Sequence, residues 1–352
     1  MADAEAATTA GAWAAFEKAY DGWQVLLFLL VGHEAGVLAG VVDGGGTADE
    51  IAARAGSDPR MTLEWLRVMT VAEFVDVDDH GQIFTARPDL DQIMDLPNVD
   101  SAAGIGAAVF RRIPELLDGL ATALRTGEGV DPTIYGPPFT RLQNLSSLTT
   151  GPAHLVPDML TPVTGLVKRL SEGCRVLELG CGGGWALETL ADAFPAATFL
   201  GCDLDECALA LASDRLERFG DRCRVERHDV MDLAEGCADV VLAIDLVHDL
   251  ADPAGSLVRI RNALSAGGTF VMAETDASGD FSVDRHSANA WQYGPSFARC
   301  IPASQYAGGP GLGSMWGRPA AMALLRETGF ADVTVHASEP GYAVFAGRAP
   351  SI

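Results

Sequence analysis

Between Arg175 and Leu187 the chain reads RVLELGCGGGWAL, an apolar run that breaks into Gly180, Gly182, Gly183 and Gly184. Glycines just past a strand end let the backbone come close to a ligand at the carboxyl edge of a sheet. The spacing is not that of a dinucleotide loop: after Gly180 and Gly182 the third glycine would stand at 185, which holds Trp185. Glu178, two positions before the first glycine, sets a carboxylate where a cationic ligand end fits better than a pyrophosphate. The next apolar run ends in GCDLDE, which places Asp203 to accept both hydroxyls of a ribose. A third ends in HDVMD and places Asp229 to take an exocyclic amine. A fourth leads into AIDLVHDLADP, where His248 follows the strand end. Histidine is the usual general base near neutral pH, so His248 is the candidate to deprotonate a hydroxyl, with Asp249 or Asp276 to orient its ring.

These residues need a sheet whose strands all end on one edge. From 175 onward RVLEL, TFLGCD, CRVERHD, DVVLAID and GTFVMAE alternate with helix-like stretches, the pattern of a parallel sheet with crossover helices. ADVTVHA and YAVFAGR, joined by Glu-Pro-Gly, read as a terminal hairpin, so the last strand is expected to run antiparallel. Before this half, Thr47 and Glu50 form a capping-box pattern, and Asp58-Pro59 supplies a cap and a first-turn proline. FVDVDDHGQIFTA then reads as two strands around Asp79-His80-Gly81. Helix, helix and hairpin make a winged-helix arrangement. Residues 100 to 170 read as helical, interrupted by VDPTIYGPPF.

Composition narrows the partners. The chain of 352 residues carries 48 acidic and 24 basic side chains, a net charge of −24 that disfavours nucleic acid and anionic membranes. The would-be reading helix, DPRMTLEWLRVM, offers only Arg60 and Arg67, offset by Asp58 and Glu64, and the hairpin is acidic. The N-terminus has no basic start with an apolar core, and VLLFLLV is too short to span a bilayer, so a cytoplasmic location is expected. Seven cysteines form no CxxC pair, which predicts reduced thiols and no metal site.

A ligand with a cationic amino-acid end, a ribose and a purine fits the three acidic positions, and S-adenosylmethionine has those parts. VLELGCGGG, GCDLD, HDVMD and AIDLVHDLADP, in that order at strand ends, resemble the class I S-adenosylmethionine-dependent methyltransferases. The winged-helix start, VHDLADP and CIPASQYAGGPGLGSMWG before RETGF are similar to a bacterial branch of that family, related to small-molecule O-methyltransferases. The resemblance implies an α/β fold: a Rossmann-like seven-stranded sheet with a terminal antiparallel strand, after a mostly helical winged-helix domain. It implies a helical, dimerising domain over 1–100, a helical linker to the substrate pocket over 101–165, and a cofactor-binding domain over 166–352 with a cap at 278–317. Glu178 and Gly180, Cys181, Gly182 and Gly184 would approach the methionine part. Asp203 and Leu204 would meet the ribose, Asp229 and Val230 the adenine, with Ile244 and Asp245 nearby. The sequence departs from the family at Glu178, where many members carry Asp.

By the same resemblance His248 is the base of O-methyl transfer; a carbon or nitrogen acceptor would need no base or a different one. Tyr135, Phe139, Trp291, Tyr293, Phe297 and Arg299 are expected to line a pocket for a flat or apolar metabolite, as in secondary metabolism. The glycines at 308, 309, 311 and 313 suggest a lid. The apolar stretch 12–42 supports a homodimer. Two other functions stay open: a ligand-sensing regulator that keeps the fold, and a cofactor-binding fold that catalyses another reaction.

Overall fold

The computed structural model describes residues 2–88, 90 and 108–350; side chains are described from residue 11 onward, Thr150 excepted. The chain forms two compact units, Met1–Arg111 and Arg112–Ile352. The domain boundary expected at 100 lies outside the described residues, and 112–165 belongs to the second unit.

In the first unit α1 (Ala2–Glu34) and α2 (Val37–Val42) precede α3 (Ala48–Ala55) and α4 (Pro59–Val71). The Thr47 hydroxyl accepts from Glu50 N–H, and the Glu50 carboxylate accepts from Thr47 N–H at 2.8 Å, so the expected capping box starts α3. Asp58 accepts from Met61 N–H at 2.8 Å and Pro59 opens α4. One face of α4 carries Leu66 and Met69, both fully buried, against Leu38, Ile51, Val75 and Phe84. Strands β1 (Val75–Val77) and β2 (Phe84–Ala86) pair antiparallel, the wing after the two helices. Asp78 holds the turn by accepting from the N–H groups of Gln82 and Ile83.

The second unit opens with α5 (Ile113–Thr126), α6 (Gly136–His154) and α7 (Leu166–Glu172). Then β3 (Arg175–Leu179), α8 (Trp185–Ala193), β4 (Thr198–Asp203), α9 (Glu206–Leu216), β5 (Cys223–Arg227), β6 (Ala238–Ile244), α10 (Pro253–Ala263) and β7 (Leu264–Thr275) alternate. The cap holds short helical pieces, including α11 (Phe281–Asp284) and α12 (Ile301–Tyr306). It returns through α13 (Arg318–Glu327) to the hairpin β8 (Ala331–Ser338) and β9 (Tyr342–Arg348).

The strands form one seven-stranded sheet in the order β5-β4-β3-β6-β7-β9-β8. The first five run parallel; β9 is antiparallel to both β7 and β8. Helices cover both faces, which is why the strands read as nearly continuous apolar runs. One core packs Val176, Val240, Leu242 and Val271 against Leu187, Leu190 and Phe199. The other packs Leu177, Val241, Phe270 and Met272 against Leu257, Ile260 and Leu325. Strand order reverses direction at β3 and β6, so a crevice opens beyond their carboxyl ends. Among the described residues no helix is long and apolar enough to cross a membrane.

Candidate active site

The glycine segment leaves β3 and turns into α8 at that crevice. Gly184, at φ +75°, occupies the left-handed region, and a Cβ there would lie 3.0 Å from the Cβ of Ala212 on α9. A Cβ on Gly183 would meet Asn144 Oδ1 of α6, whereas one on Gly182 would meet nothing within 4 Å. The segment is therefore clamped from behind and leaves space along its front. Asp203, at the end of β4, ties it down: its carboxylate accepts Gly182 N–H at 2.9 Å and Asp205 N–H at 2.9 Å. Each of those oxygens keeps a further acceptor position. Cys181 N–H donates to the Cys202 carbonyl at 3.1 Å, so the backbone keeps pairing with β4 two residues beyond the end of β3.

Glu178 is 2% exposed in the middle of this sheet. Its Oε2 is buried and accepts no hydrogen bond among the described residues, and neither does Asn144 Oδ1. Burial drives the Glu178 carboxyl well above the usual carboxylate range, and the charge of Asp203 pushes the same way. A buried acceptor without a donor is costly. Two of them beside one glycine loop are suited to a cationic, multiply donating group such as an α-ammonium. The residues present thus fit the amino-acid end of S-adenosylmethionine.

The other positions fall around the same edge. Asp229 follows β5 and caps the next turn by accepting from Met231 N–H at 2.9 Å; Val230 packs partly into the core. Leu204 stands exposed beside Asp203. Ile244 ends β6, and Asp245 follows at φ +51°, a strained backbone for a non-glycine residue. Its carboxylate accepts from Tyr342 Oη at 2.6 Å, and burial, with the charge of Glu274 next, raises its pKa to about 6. Leu246 reaches over the loop: a Cβ on Gly180 would lie 2.8 Å from its side chain. Two residues later comes His248, so the glycine loop and the histidine are neighbours.

His248 is 3% exposed. The carboxylate on its Nδ1 belongs to Glu274, at the end of β7, rather than to Asp249 or Asp276. Glu274 also accepts from Val247 N–H at 2.9 Å and from the Trp316 indole at 3.4 Å. Asp276 is held in a two-point pair by Arg318, and Asp249 Oδ1 lies 3.4 Å from the other imidazole nitrogen, Nε2. Burial by itself would lower the imidazole pKa; the charge of Glu274 outweighs it, and contacts with Cys300 and Asp249 add to the rise well above 6.5. Sequence reasoning missed Glu274, although a signal was present: GTFVMAET places a carboxylate inside an apolar strand.

The expected pocket wall divides. Tyr135 is buried, its hydroxyl donates to the Ala298 carbonyl in the cap, and burial lifts its pKa to about 12. Its ring meets Phe139 edge to face, with centroids 5.1 Å apart. Arg299 donates to Gln143 of α6, and Tyr293 packs edge to face on Phe281. Trp291 and Phe297 are 64% and 50% exposed. Three of the cap glycines are packed: a Cβ on Gly309 would lie 2.8 Å from the Ala251 backbone, one on Gly311 would meet Gln305, and one on Gly313 would meet Ser296 and Ile301, whereas Gly308 has open space.

Residues 177–270 match a family model described as a methyltransferase domain, and residues 24–94 match an Rv2258c-like winged HTH domain. A trans-aconitate 2-methyltransferase of Variovorax paradoxus is 33% identical over 109 residues, covering 30% of this chain and 40% of that protein. Together with a second relative, matched over 26% of its length, this means the chain spans roughly a quarter to two fifths of the curated relatives it matches. Among solved structures, the mitomycin 7-O-methyltransferase MmcR superposes with a TM-score of 0.72 at 20% identity, over 97% of this chain and 99% of that one. PigF with SAH gives 0.72 at 19% identity, over 96% and 98%. The chain shares the fold of these methyltransferases, with the methyltransferase-domain match falling in the second unit and the winged HTH match in the first.

Proposed function

We propose that the protein transfers the methyl group of S-adenosylmethionine to a hydroxyl oxygen of a small, apolar or aromatic metabolite. The observation that carries this reading is the adjacency, across Leu246 and Gly180, of a loop with unpaired buried acceptors and a histidine held by a buried carboxylate. When bound, the cofactor supplies a methyl on a sulfonium that is already a good leaving group.

The rest is positioning, deprotonation and exclusion of water. Glu178 and the Gly180–Gly184 segment hold the amino-acid end, Asp203 and Leu204 the ribose, Asp229 and Val230 the adenine, with Ile244 and Asp245 at the floor. Glu274 fixes the His248 tautomer and ring plane through Nδ1. That leaves Nε2 to take the acceptor's proton, which only the neutral ring can do. Tyr135, Phe139, Tyr293 and Arg299 border the acceptor pocket, with Trp291 and Phe297 at its rim.

The winged helix–turn–helix serves assembly in this reading, not DNA. Arg60 and Arg67 on α4 both pair with Glu64, at 2.5 and 2.7 Å, which offsets part of the positive charge that this helix could offer phosphate. Helix α1 instead presents Trp13, Phe16, Tyr20 and Trp23 in one row, ring centroids 5.6 to 6.1 Å apart, each at least 47% exposed. An aromatic row of that length supports a homodimer through this domain. Seven cysteines without CxxC spacing support a reducing, cytoplasmic setting.

Calorimetric titration with S-adenosylmethionine, beside Asp203→Ala and with NAD as control, tests the cofactor. Methyl transfer to a panel of phenols and other hydroxylated ring compounds, with and without His248→Ala, tests the chemistry. Cofactor binding without transfer to any acceptor, together with a gel shift on DNA, would favour the regulator instead.

A further inference from the structure

The nitrogen of His248 that faces away from Glu274 is not alone. Asp249 Oδ1 lies 3.4 Å from Nε2, and Oδ1 is a buried atom that accepts no hydrogen bond among the described residues. Cys300, at the end of the turn Ser296–Cys300 in the cap, brings its thiol to the same side of the cluster. The three donor atoms lie within 4.8 Å of one another.

We infer that His248 Nε2, Asp249 Oδ1 and Cys300 Sγ form a site for a zinc-class divalent cation. Two ligands at zinc–nitrogen and zinc–oxygen distances near 2.0 Å stand about 3.3 Å apart when the angle is tetrahedral, close to the separation found between His248 and Asp249. A thiolate in the set excludes magnesium and calcium, which take oxygen ligands, and suits zinc or cobalt. Glu274 on Nδ1 completes a carboxylate–histidine–metal arrangement, which fixes the tautomer that leaves Nε2 free to coordinate. Asp245, His248 and Glu274 also lie close together, but Asp245 is engaged by Tyr342, and Glu274 by Val247 and Trp316. In the set with Cys300, the Asp249 Oδ1 atom is buried and has no hydrogen-bond partner among the described residues. Three protein ligands leave a fourth position for water or another donor. Sequence spacing could not reveal the site, because Cys300 lies on a cap turn far along the chain from His248 and pairs with no second cysteine in CxxC spacing.

The site has a consequence that rests on His248 being the base. An Nε2 lone pair given to a cation cannot accept a proton, so zinc silences methyl transfer. It also tethers the cap, through Cys300, to the sheet end.

The test uses the full chain stripped with a chelator and titrated with cobalt(II), read by absorption. One equivalent should bind with a thiolate-to-cobalt charge-transfer band. Cys300→Ser should abolish the band, and Asp249→Asn should weaken binding at least tenfold. Cys207→Ser, a change at a half-buried thiol on α9, should keep the band, and S-adenosylmethionine binding reports that each variant is folded. With zinc, the rate ratio with and without the ion should fall in the native protein, recover on adding chelator, and return to one in Cys300→Ser. No charge-transfer band, or a band that survives Cys300→Ser, overturns the site and leaves the base standing. A band with transfer indifferent to zinc overturns His248 as the base and leaves the site standing.

Discussion

Replacing Glu178 by Gln should move stability and cofactor affinity in opposite directions. The carboxyl is fully buried on β3, its Oε2 lacks a donor, and burial followed by the Asp203 charge holds its pKa well above the usual 4.5. The sign follows from linkage. A raised folded-state pKa contributes stability below the unfolded value near 4.5, and that contribution is lost as pH rises through the folded value. At neutral pH the native chain therefore either keeps a proton or buries an unpaired charge, and both are unfavourable. Gln keeps the shape and removes the charge, at the cost of a buried amide with an imperfect partner. The net gain should be about 1 kcal/mol at pH 7.5, within the ~1–3 kcal/mol that an unpaired buried acceptor costs. For a unit of this size that is roughly 2–4 °C in melting temperature. Near pH 4 the gain should vanish. Cofactor binding should weaken, because a hydrogen bond from a cationic donor to a carboxylate is worth about 1.5–3 kcal/mol, or roughly 10- to 150-fold in Kd. Melting curves from pH 4 to 8 beside calorimetric titration with S-adenosylmethionine decide it. A variant that loses both stability and affinity, or keeps full affinity, refutes the assignment of Glu178 to the cationic end.

Glu274→Gln should lower the His248 pKa, so the acid limb of the pH–kcat/KM profile should move to lower pH while the maximum falls; an unmoved limb would separate Glu274 from the base. Gly184→Ala should cost about 1–3 kcal/mol in urea unfolding, from a left-handed φ of +75° and a contact of 3.0 Å with Ala212, and should weaken cofactor binding. Phe270→Ala should cost about 3–5 kcal/mol, because its ring is fully buried and stacked on Phe330 at 5.3 Å; a loss under 1 kcal/mol would mean that the core collapses into the gap. Tyr20→Glu, in the middle of the α1 aromatic row, should convert a dimer to a monomer in sedimentation velocity without changing the melting of the methyltransferase unit.

Much of the frame was legible because its signals are local. The capping box at Thr47, the proline after Asp58 and the wing each follow from a few adjacent residues, and all three form as read. The five parallel strands and the terminal hairpin follow from apolar runs and turn residues, with ends displaced by a few positions at CRVERHD and GTFVMAE. The acidic residues expected to face the cofactor stand at strand ends in the order read, along one edge of the sheet. What stayed hidden is what depends on tertiary distance. Glu274 is 26 residues from His248, and only the β6–β7 pairing brings them together. The close neighbours of Gly309 and Gly313, which leave no room for a Cβ, were not legible from the glycine spacing alone. Asp276 looked available until Arg318, across the whole cap, took both its oxygens.

The order of the last strands bears on how the chain is made. Strand β8 is synthesised before β9, yet β9 lies between β8 and β7 and supplies the only ladder that β8 has among the described residues. Until β9 joins the sheet, the β7 edge and β8 have unpaired backbone, and Val344 and Phe345 are not in place to fill the core. The sheet therefore closes from its last-made interior strand outward. The five parallel strands must wait, partly built, with the cofactor edge already formed and the far edge open to chaperones or to another nascent chain.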